Sequence, residues 1–459
     1  MRVKVLLAVL PALAAGACLA PRYERPALPT PAAFPTGAAY PAPTPDAEPA
    51  SQIAWRDFVQ DDRLRQVIGQ ALANNRDLRQ AAANVAAARA QFIEQRAALF
   101  PTISATGTGT MSGGDNLDQT RAYTARAGLS AYEVDLFGRL RNLTRAQQES
   151  YFGTVEAGRA AQVSLIGETA SAWMTFAADQ SLLKLATETR DNAQRAMTLT
   201  ERRKDAGVAS RLDVRSIETV YQQAAADVAS YTTAVAQDRN ALELLVGAPV
   251  DEALLPQGLD EANVLADVPV GVSSAVLLDR PDVLEAEHAL KAANADIGAA
   301  RAALFPSLTL TAQGGTSSAA LDSLFKPGTA EWTFVPTVAL TLFDAGAKGA
   351  AVDYAKAKRD AAVAAYEKTI QTAFRETADA LARRGTIADQ LKAETGLEAA
   401  AADSYTLANA RYQAGVDGYL ANLESQRSLY SAQKTLISTR LTAYDNLITL
   451  YKVLGGGVK

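Results

Sequence analysis

The chain has 459 residues, a formal net charge of -5 and 48% hydrophobic residues, enough apolar material for a sizeable core. That balance excludes a generally basic nucleic-acid binder, and abundant alanine with 7% aromatics favours a mostly helical protein. One cysteine, Cys18, and one histidine, His288, exclude a His/Cys zinc site and leave little room for Cys-His or Ser-His-Asp catalysis.

Residues 1–17, MRVKVLLAVLPALAAGA, read as a signal peptide. Arg2 and Lys4 precede an apolar stretch from Val5 to Ala15, too short to span a bilayer. Ala15-Gly16-Ala17 then precedes Cys18, the arrangement of a lipobox in which the cysteine is acylated. Ala15 stands where a lipobox usually has leucine, and Ala15-x-Ala17 also fits ordinary signal-peptide cleavage. Removing Arg2 and Lys4 changes 45 basic residues to 43 against 50 acidic ones, a mature charge of -7. Residues 18–51 are proline-rich and read as a tether of extended chain, either free or packed along the folded body.

The rest is a duplication. Arg96-Ala-Ala-Leu-Phe-Pro101 recurs as Arg301-Ala-Ala-Leu-Phe-Pro306, an offset of 205, and Ala206-Gly207-Val208 recurs as Ala414-Gly415-Val416, an offset of 208. Two repeats follow, 52–250 and 280–459, with a Pro- and Gly-containing linker at 251–279. In the first, a helix over about 61–98 stops at Leu-Phe-Pro, since proline cannot continue helical hydrogen bonding. Strands at about 101–113 and 121–135 come next, with Tyr123, Ala125, Ala127, Leu129 and Ala131 alternating with polar residues. Long helices over 140–205 and 210–247 close the repeat. The first lacks proline over 66 residues, about 100 Å at ~1.5 Å per residue, where ~11 residues is usual. On the return helix Val214, Tyr221, Val228, Val235 and Leu242 recur every seven residues, a coiled-coil seam whose interleaved set is broken by Asp238.

The second repeat has the same grammar. A helix over 280–303 leads to strands at 305–318 and 332–343, separated by a turn region at 314–331, then helices at 346–412 and 419–454. Trp332, Phe334, Val338, Leu340 and Leu342 fall on one face, and Leu423, Tyr430, Ile437, Tyr444 and Tyr451 form a seam. His288 reads as a partly exposed residue of the 280–303 helix. Four amphipathic strands cannot close a membrane barrel, whose smallest form has about eight, so a membrane role requires several chains: two give eight strands, three give 12. A soluble helical protein with two hairpins is the competing reading.

The motifs together resemble the outer-membrane factors of tripartite efflux pumps, TolC-like, in the OprM/NodT lipoprotein branch. They are Cys18 with Ala20-Pro21-x-Tyr23-x-x-Pro26; Arg280-Pro281-Asp282-Val283-x-x-Ala286-Glu287; Ala292-Ala293-Asn294-Ala295-x-Ile297-Gly298; Leu304-Phe305-Pro306; Leu342-Phe343-Asp344-x-Gly346; Arg411-Tyr412-x-x-Gly415-Val416; and Leu450-Tyr451-Lys452-x-Leu454-Gly455-Gly456-Gly457. The resemblance covers nearly the whole chain. It implies a mainly α homotrimer with a shared 12-stranded β-barrel, a periplasmic α-helical barrel and an equatorial belt; the single histidine and the leader cysteine separately argue against an enzyme, with a carboxylate hydrolase the one catalytic alternative, and no cofactor, metal or catalytic site is expected. It implies passive export of drugs or other small molecules across the outer membrane, with a periplasmic adaptor and an inner-membrane pump as partners and no nucleic acid. The Ala206-Gly207-Val208 and Ala414-Gly415-Val416 turns resemble the tips where the adaptor docks. Leu420 and Glu424 match the hydrophobic and acidic gate positions of the periplasmic aperture, with glutamate where the family has aspartate, and Asp417 adds charge nearby. A lipid-anchored coiled-coil scaffold without a pore, and a protein-secretion channel of the same fold, are the alternatives.

Overall fold

The computed structural model describes residues 19–41, 53–115, 117–259, 264–268 and 273–457. The expected signal peptide and Cys18 lie outside these residues, as do parts of the tether and linker.

The duplication is visible as repeated element order. After a short helix α1 (Trp55–Phe58) and α2 (Asp62–Asn74), the first half runs α3 (Arg76–Ala97), β1 (Ile103–Gly114), β2 (Leu117–Val134), α4 (Arg139–Asp205) and α5 (Arg211–Val246). The second runs α6 (Pro281–Ala302), β3 (Ser307–Ser318), β4 (Ala330–Ala339), α7 (Ala347–Gln413) and α8 (Tyr419–Val453). The two long helices, α4 and α7, have 67 residues each.

Four boundaries differ from the sequence reading, each for a local reason. The expected 61–98 helix is two helices broken at Asn75. Asn75 donates through Nδ2 to the Leu245 carbonyl and accepts from the Leu78 N–H, restarting the chain as α3. The alternation through Ala131 fails because β2 carries a bulge between Leu129 and Tyr132, with Ala131 at a φ of 53°; Tyr132 resumes the apolar face. The connection between the strands expected at 101–113 and 121–135 is far tighter, since β1 runs to Gly114 and β2 starts at Leu117. In the second half β3 continues to Ser318 and β4 begins at Ala330 and ends at Ala339, so Leu340 and Leu342 continue the apolar pattern without a ladder.

Packing divides the chain into two compact units. One holds residues up to 27, 83–156 and 284–368. Its centre is a four-stranded antiparallel sheet in the order β1-β2-β3-β4, so β1 and β4 are its open edges within the chain. The other unit holds 28–82, 157–283 and 369 onward. Its main core gathers Phe58, Leu64, Ile68, Trp173, Leu242 and Tyr451, all buried, with the Phe58 and Tyr451 rings stacked at 4.3 Å. Trp173 satisfies its indole N–H on the Leu254 carbonyl at 3.0 Å, as a buried donor must. The heptad residues Val214, Leu242, Leu423 and Tyr451 are buried, which gives the seams their physical meaning.

Candidate functional site

The tips at the ends of α4 and α7 are built alike. After Asp205, Gly207 takes a φ of +78°; the Val208 N–H donates to the Arg203 carbonyl at 2.8 Å and the Gly207 N–H to the Lys204 carbonyl at 2.9 Å. After Gln413, Gly415 takes +73°; Val416 donates to Arg411 at 2.9 Å and Gly415 to Tyr412 at 3.0 Å. This is the glycine cap that reverses a helix by a left-handed residue, which explains the Ala-Gly-Val spelling. Ala206 and Ala414 are the last residues before each reversal. Ser210 then caps α5 by exchanging hydrogen bonds with Asp213.

Each tip leaves apolar side chains in water: Val208 is 71% exposed and Leu212 73%, Val416 62% and Leu420 64%. Leu212 was missed in the sequence reading. Its signal is the 208-residue offset, which carries Val208 onto Val416 and Leu212 onto Leu420.

Leu420 and Glu424 stand one turn apart on α8 and are both exposed, whereas Tyr419, Asn422 and Leu423 are buried. Leu423, not Leu420, is therefore the seam residue; it packs with Ala193, Ile217, Val220 and Tyr419. The exposed face continues upward as Ser428, Ser431, Thr435 and Ser438, a stripe of hydroxyls at helical spacing. Asp417, read from the sequence as added charge nearby, is ion-paired within its own tip. Arg411 binds it at 2.5 and 2.9 Å, and those bonds, against slight desolvation, hold its carboxyl below the usual range.

The sheet separates chemistry by face. Ile103, Leu129, Ala312 and Phe334 form one row across all four strands, and Ala105, Ala127, Gly314 and Trp332 the next. On the other face the row Ser104, Gly128, Gln313 and Thr333 is polar, as are Thr106, Thr108, Thr124 and Ser317. One face is greasy and exposed, with Trp332 82% accessible; the other is lined by hydroxyls. Strands of 10 to 18 residues meet or exceed the ~9–11 that cross a bilayer at a tilt. No helix among the described residues is long and apolar enough to cross a membrane.

The N-terminal segment is a strap. Within the sheet-bearing unit, the Leu19 carbonyl accepts from Arg301, the Pro21 carbonyl from Asn294, and Tyr23 and Arg25 both donate to Glu287. Residues 19–25 thus run antiparallel along α6. In the other unit Ser274 donates to the Pro31 carbonyl and Phe34 stacks on Phe374 at 5.1 Å. Burial works against the Glu287 charge, but hydrogen bonds from Arg25, Tyr23 and Lys291 more than offset it and hold the carboxyl below its ordinary range. Glu287 belongs to the motif that begins at Arg280-Pro281, but its partners lie 262 and 264 positions away, so the pairing itself is not legible in the sequence.

His288 is half-buried on α6. Its Nδ1 meets Glu149 at 2.7 Å and its ring lies 5.6 Å from Phe152, so it serves as a helix-to-helix contact. Among the described residues no cluster of His, Cys, Asp and Glu is arranged to hold a metal ion.

A four-stranded sheet greasy on one side, with two hairpins of very long helices capped by matching glycine tips, defines a class: the subunit of a TolC-like outer-membrane efflux channel. The chain belongs to the outer membrane efflux protein family, whose model matches residues 67–248 and 272–456. It is 46% identical over 460 residues to the toluene efflux pump outer membrane protein TtgC of Pseudomonas putida, covering 98% of this chain and 95% of that one. It is 38% identical over 459 residues to the outer membrane protein OprJ of Pseudomonas aeruginosa, with the same coverage. Among solved structures, the open state of the Neisseria gonorrhoeae MtrE outer membrane channel matches with a TM-score of 0.89 and 36% identity, over 96% of this chain and 98% of that one.

Proposed function

We propose that three copies of this chain close one 12-stranded barrel, three times the four strands of each, and form a passive conduit for small organic molecules out of the cell. The sheet carries this reading: its greasy face suits lipid, and its two open edges cannot be left in a bilayer. Helix α3, which has no buried residue in the single chain, supports a neighbouring copy as its cover. The name of the toluene-pump relative supports apolar organic compounds as cargo.

The exposed valines and leucines of the tips form the docking surface for a periplasmic adaptor, centred on Ala206, Gly207, Val208, Ala414, Gly415 and Val416 and widened by Leu212. An inner-membrane pump supplies the energy, since nothing in a passive channel does. Leu420 and Glu424 form the periplasmic aperture: an apolar ring blocks ions by dewetting, and a carboxylate ring favours cations. Asp417 acts there as a tip brace through Arg411, not as part of the charge ring. Cys18 carries the lipid. Its neighbour Leu19 is held by Arg301, six positions before β3 begins at Ser307, which supports an anchor near the sheet's helix-side end. Native mass spectrometry of the detergent-solubilised protein tests the assembly: three chains are expected, and a monomer overturns the shared barrel.

A further inference from the structure

The hydroxyl face of the sheet carries one feature that its alternation does not explain. Thr106, Arg126, Gly315 and Glu331 form a single row across β1, β2, β3 and β4. Arg126 and Glu331 are therefore two strands apart, about 10 Å at ~4.8 Å per strand. They nevertheless pair, with Arg126 Nε 2.6 Å and Nη2 2.5 Å from Glu331 Oε1. The residue between them is glycine. Gly315 has no side chain to stand in the way, and a Cβ there would meet the Ala125 carbonyl oxygen at 2.0 Å and the Arg126 Cα at 2.7 Å. The guanidinium lies over the glycine and reaches the carboxylate beyond.

The other ionised residues on this face sit at its ends. Asp118 is beside the hairpin turn, and Glu133, near the helix-side end, is neutralised by Arg139 at 2.5 Å. In mid-sheet the Arg126–Glu331 pair is the charged feature of a face otherwise made of hydroxyl residues, Gln313, Val335 and small residues.

We propose that the Arg126–Glu331 pair, laid across Gly315, sets the charge selectivity of the barrel section. This rests on the reading that the hydroxyl face lines the conduit. Paired, the two side chains leave a wall with no net charge in mid-barrel, which passes uncharged organic solutes and small ions of either sign without sorting them. Unpaired, either partner would give three like charges in one ring, a strong field in a narrow bore. The side chains are about one-third exposed, so the ring would face water directly and be screened by salt.

The test is the reversal potential across a planar bilayer under a potassium chloride gradient. It is measured in a Leu420→Ala/Glu424→Ala background, so that the periplasmic aperture does not dominate. With the pair intact, the chloride-to-potassium permeability ratio lies near one. Glu331→Gln raises it several-fold, Arg126→Gln lowers it several-fold, and Arg126→Gln/Glu331→Gln together restore it. The charge swap Arg126→Glu/Glu331→Arg also restores it, which separates electrostatics from disturbed folding. Raising the salt from 0.1 M to 1 M, which shortens the screening length from ~10 Å to ~3 Å, shrinks both single-variant shifts. Conducting single variants with an unchanged ratio overturn the proposal and leave the channel reading intact. A parent protein that conducts nothing overturns both.

Discussion

Glu287→Ala removes the latch that holds the N-terminal strap on α6. Glu287 is 2% exposed and accepts from the Tyr23 hydroxyl at 2.9 Å and from Arg25 at 3.1 and 2.7 Å, with Lys291 of its own helix at 3.1 Å. The Lys291 contact does not involve the strap, which leaves Tyr23 and Arg25. Hydrogen bonds to a charged group contribute about 1.5–3 kcal/mol each, and Arg25 belongs at the low end because its side chain is 47% exposed. The strap therefore loses about 3 kcal/mol of attachment, which multiplies its detached population by about 10² at ~1.4 kcal/mol per decade. Tryptic cleavage of the Arg22–Tyr23 bond, followed by mass spectrometry of the intact protein, reads that population when detachment is fast relative to cleavage. Glu287→Ala should be cut about 10²-fold faster, and Tyr23→Phe, which removes one bond of about 1.5 kcal/mol, about tenfold faster. Because the folded carboxyl titrates below its ordinary range, the latch is fully present above the unfolded value near 4.5 and is lost as pH falls below it. An unchanged cleavage rate in Glu287→Ala would refute the reasoning, since the strap would then be held by its apolar and backbone contacts alone.

Gly298→Ala should release the same strap: a Cβ there would stand 2.6 Å from the Ala20 Cβ and 2.8 Å from Asn142, a clash larger than the ~1 kcal/mol alanine gains in a helix. Tryptic cleavage at Arg22 should again accelerate, whereas alanine at the open Gly396 should not change it. Burial, then the Asp179 carboxylate beside it, pushes Asp238 up to about 6. The folded protein holds this proton where the unfolded chain has released it, so stability falls as pH rises from about 4 to 6; Asp238→Asn should flatten that slope in thermal melts and raise the midpoint above pH 6. An unaltered slope would assign the pH dependence elsewhere. Ile217→Ala, at a fully buried seam position, should destabilise by about 2–5 kcal/mol and loosen the α4–α5 tip, read as faster amide exchange near Val220.

Much of the molecule was legible in sequence because its signals are local and repeated. Proline-free runs and seven-residue seams fixed α4, α5, α7 and α8 to within a residue or so, since the glycines that end them, Gly207, Gly247 and Gly415, must take positive φ. The amphipathic strands showed in β3 and β4 through Thr alternating with Leu or Phe. The bulge at Ala131 did not, because alanine suits either face and carries no register information. The break at Asn75 was hidden for a related reason: asparagine is tolerated within helices, and only its bond to Leu245, 170 positions away, stops this one. The same distance problem hid the strap. A proline-rich segment says that it will be extended, not where it lies, and the motifs that contain Tyr23 and Glu287 do not say that the two meet. The pairing of Asp417 with Arg411 is likewise hidden in the sequence, because the tip fold that brings them together is visible only in three dimensions.

We propose above that Leu420 and Glu424 make the periplasmic aperture of a channel subunit. Single-channel recording of the purified protein in planar bilayers tests it most directly. Discrete conductance steps are expected, small or brief in the parent protein and larger and longer in Leu420→Ala/Glu424→Ala, as an apolar ring and a carboxylate ring are removed together. A membrane that stays silent with both proteins, although each inserts as an oligomer, would contradict it.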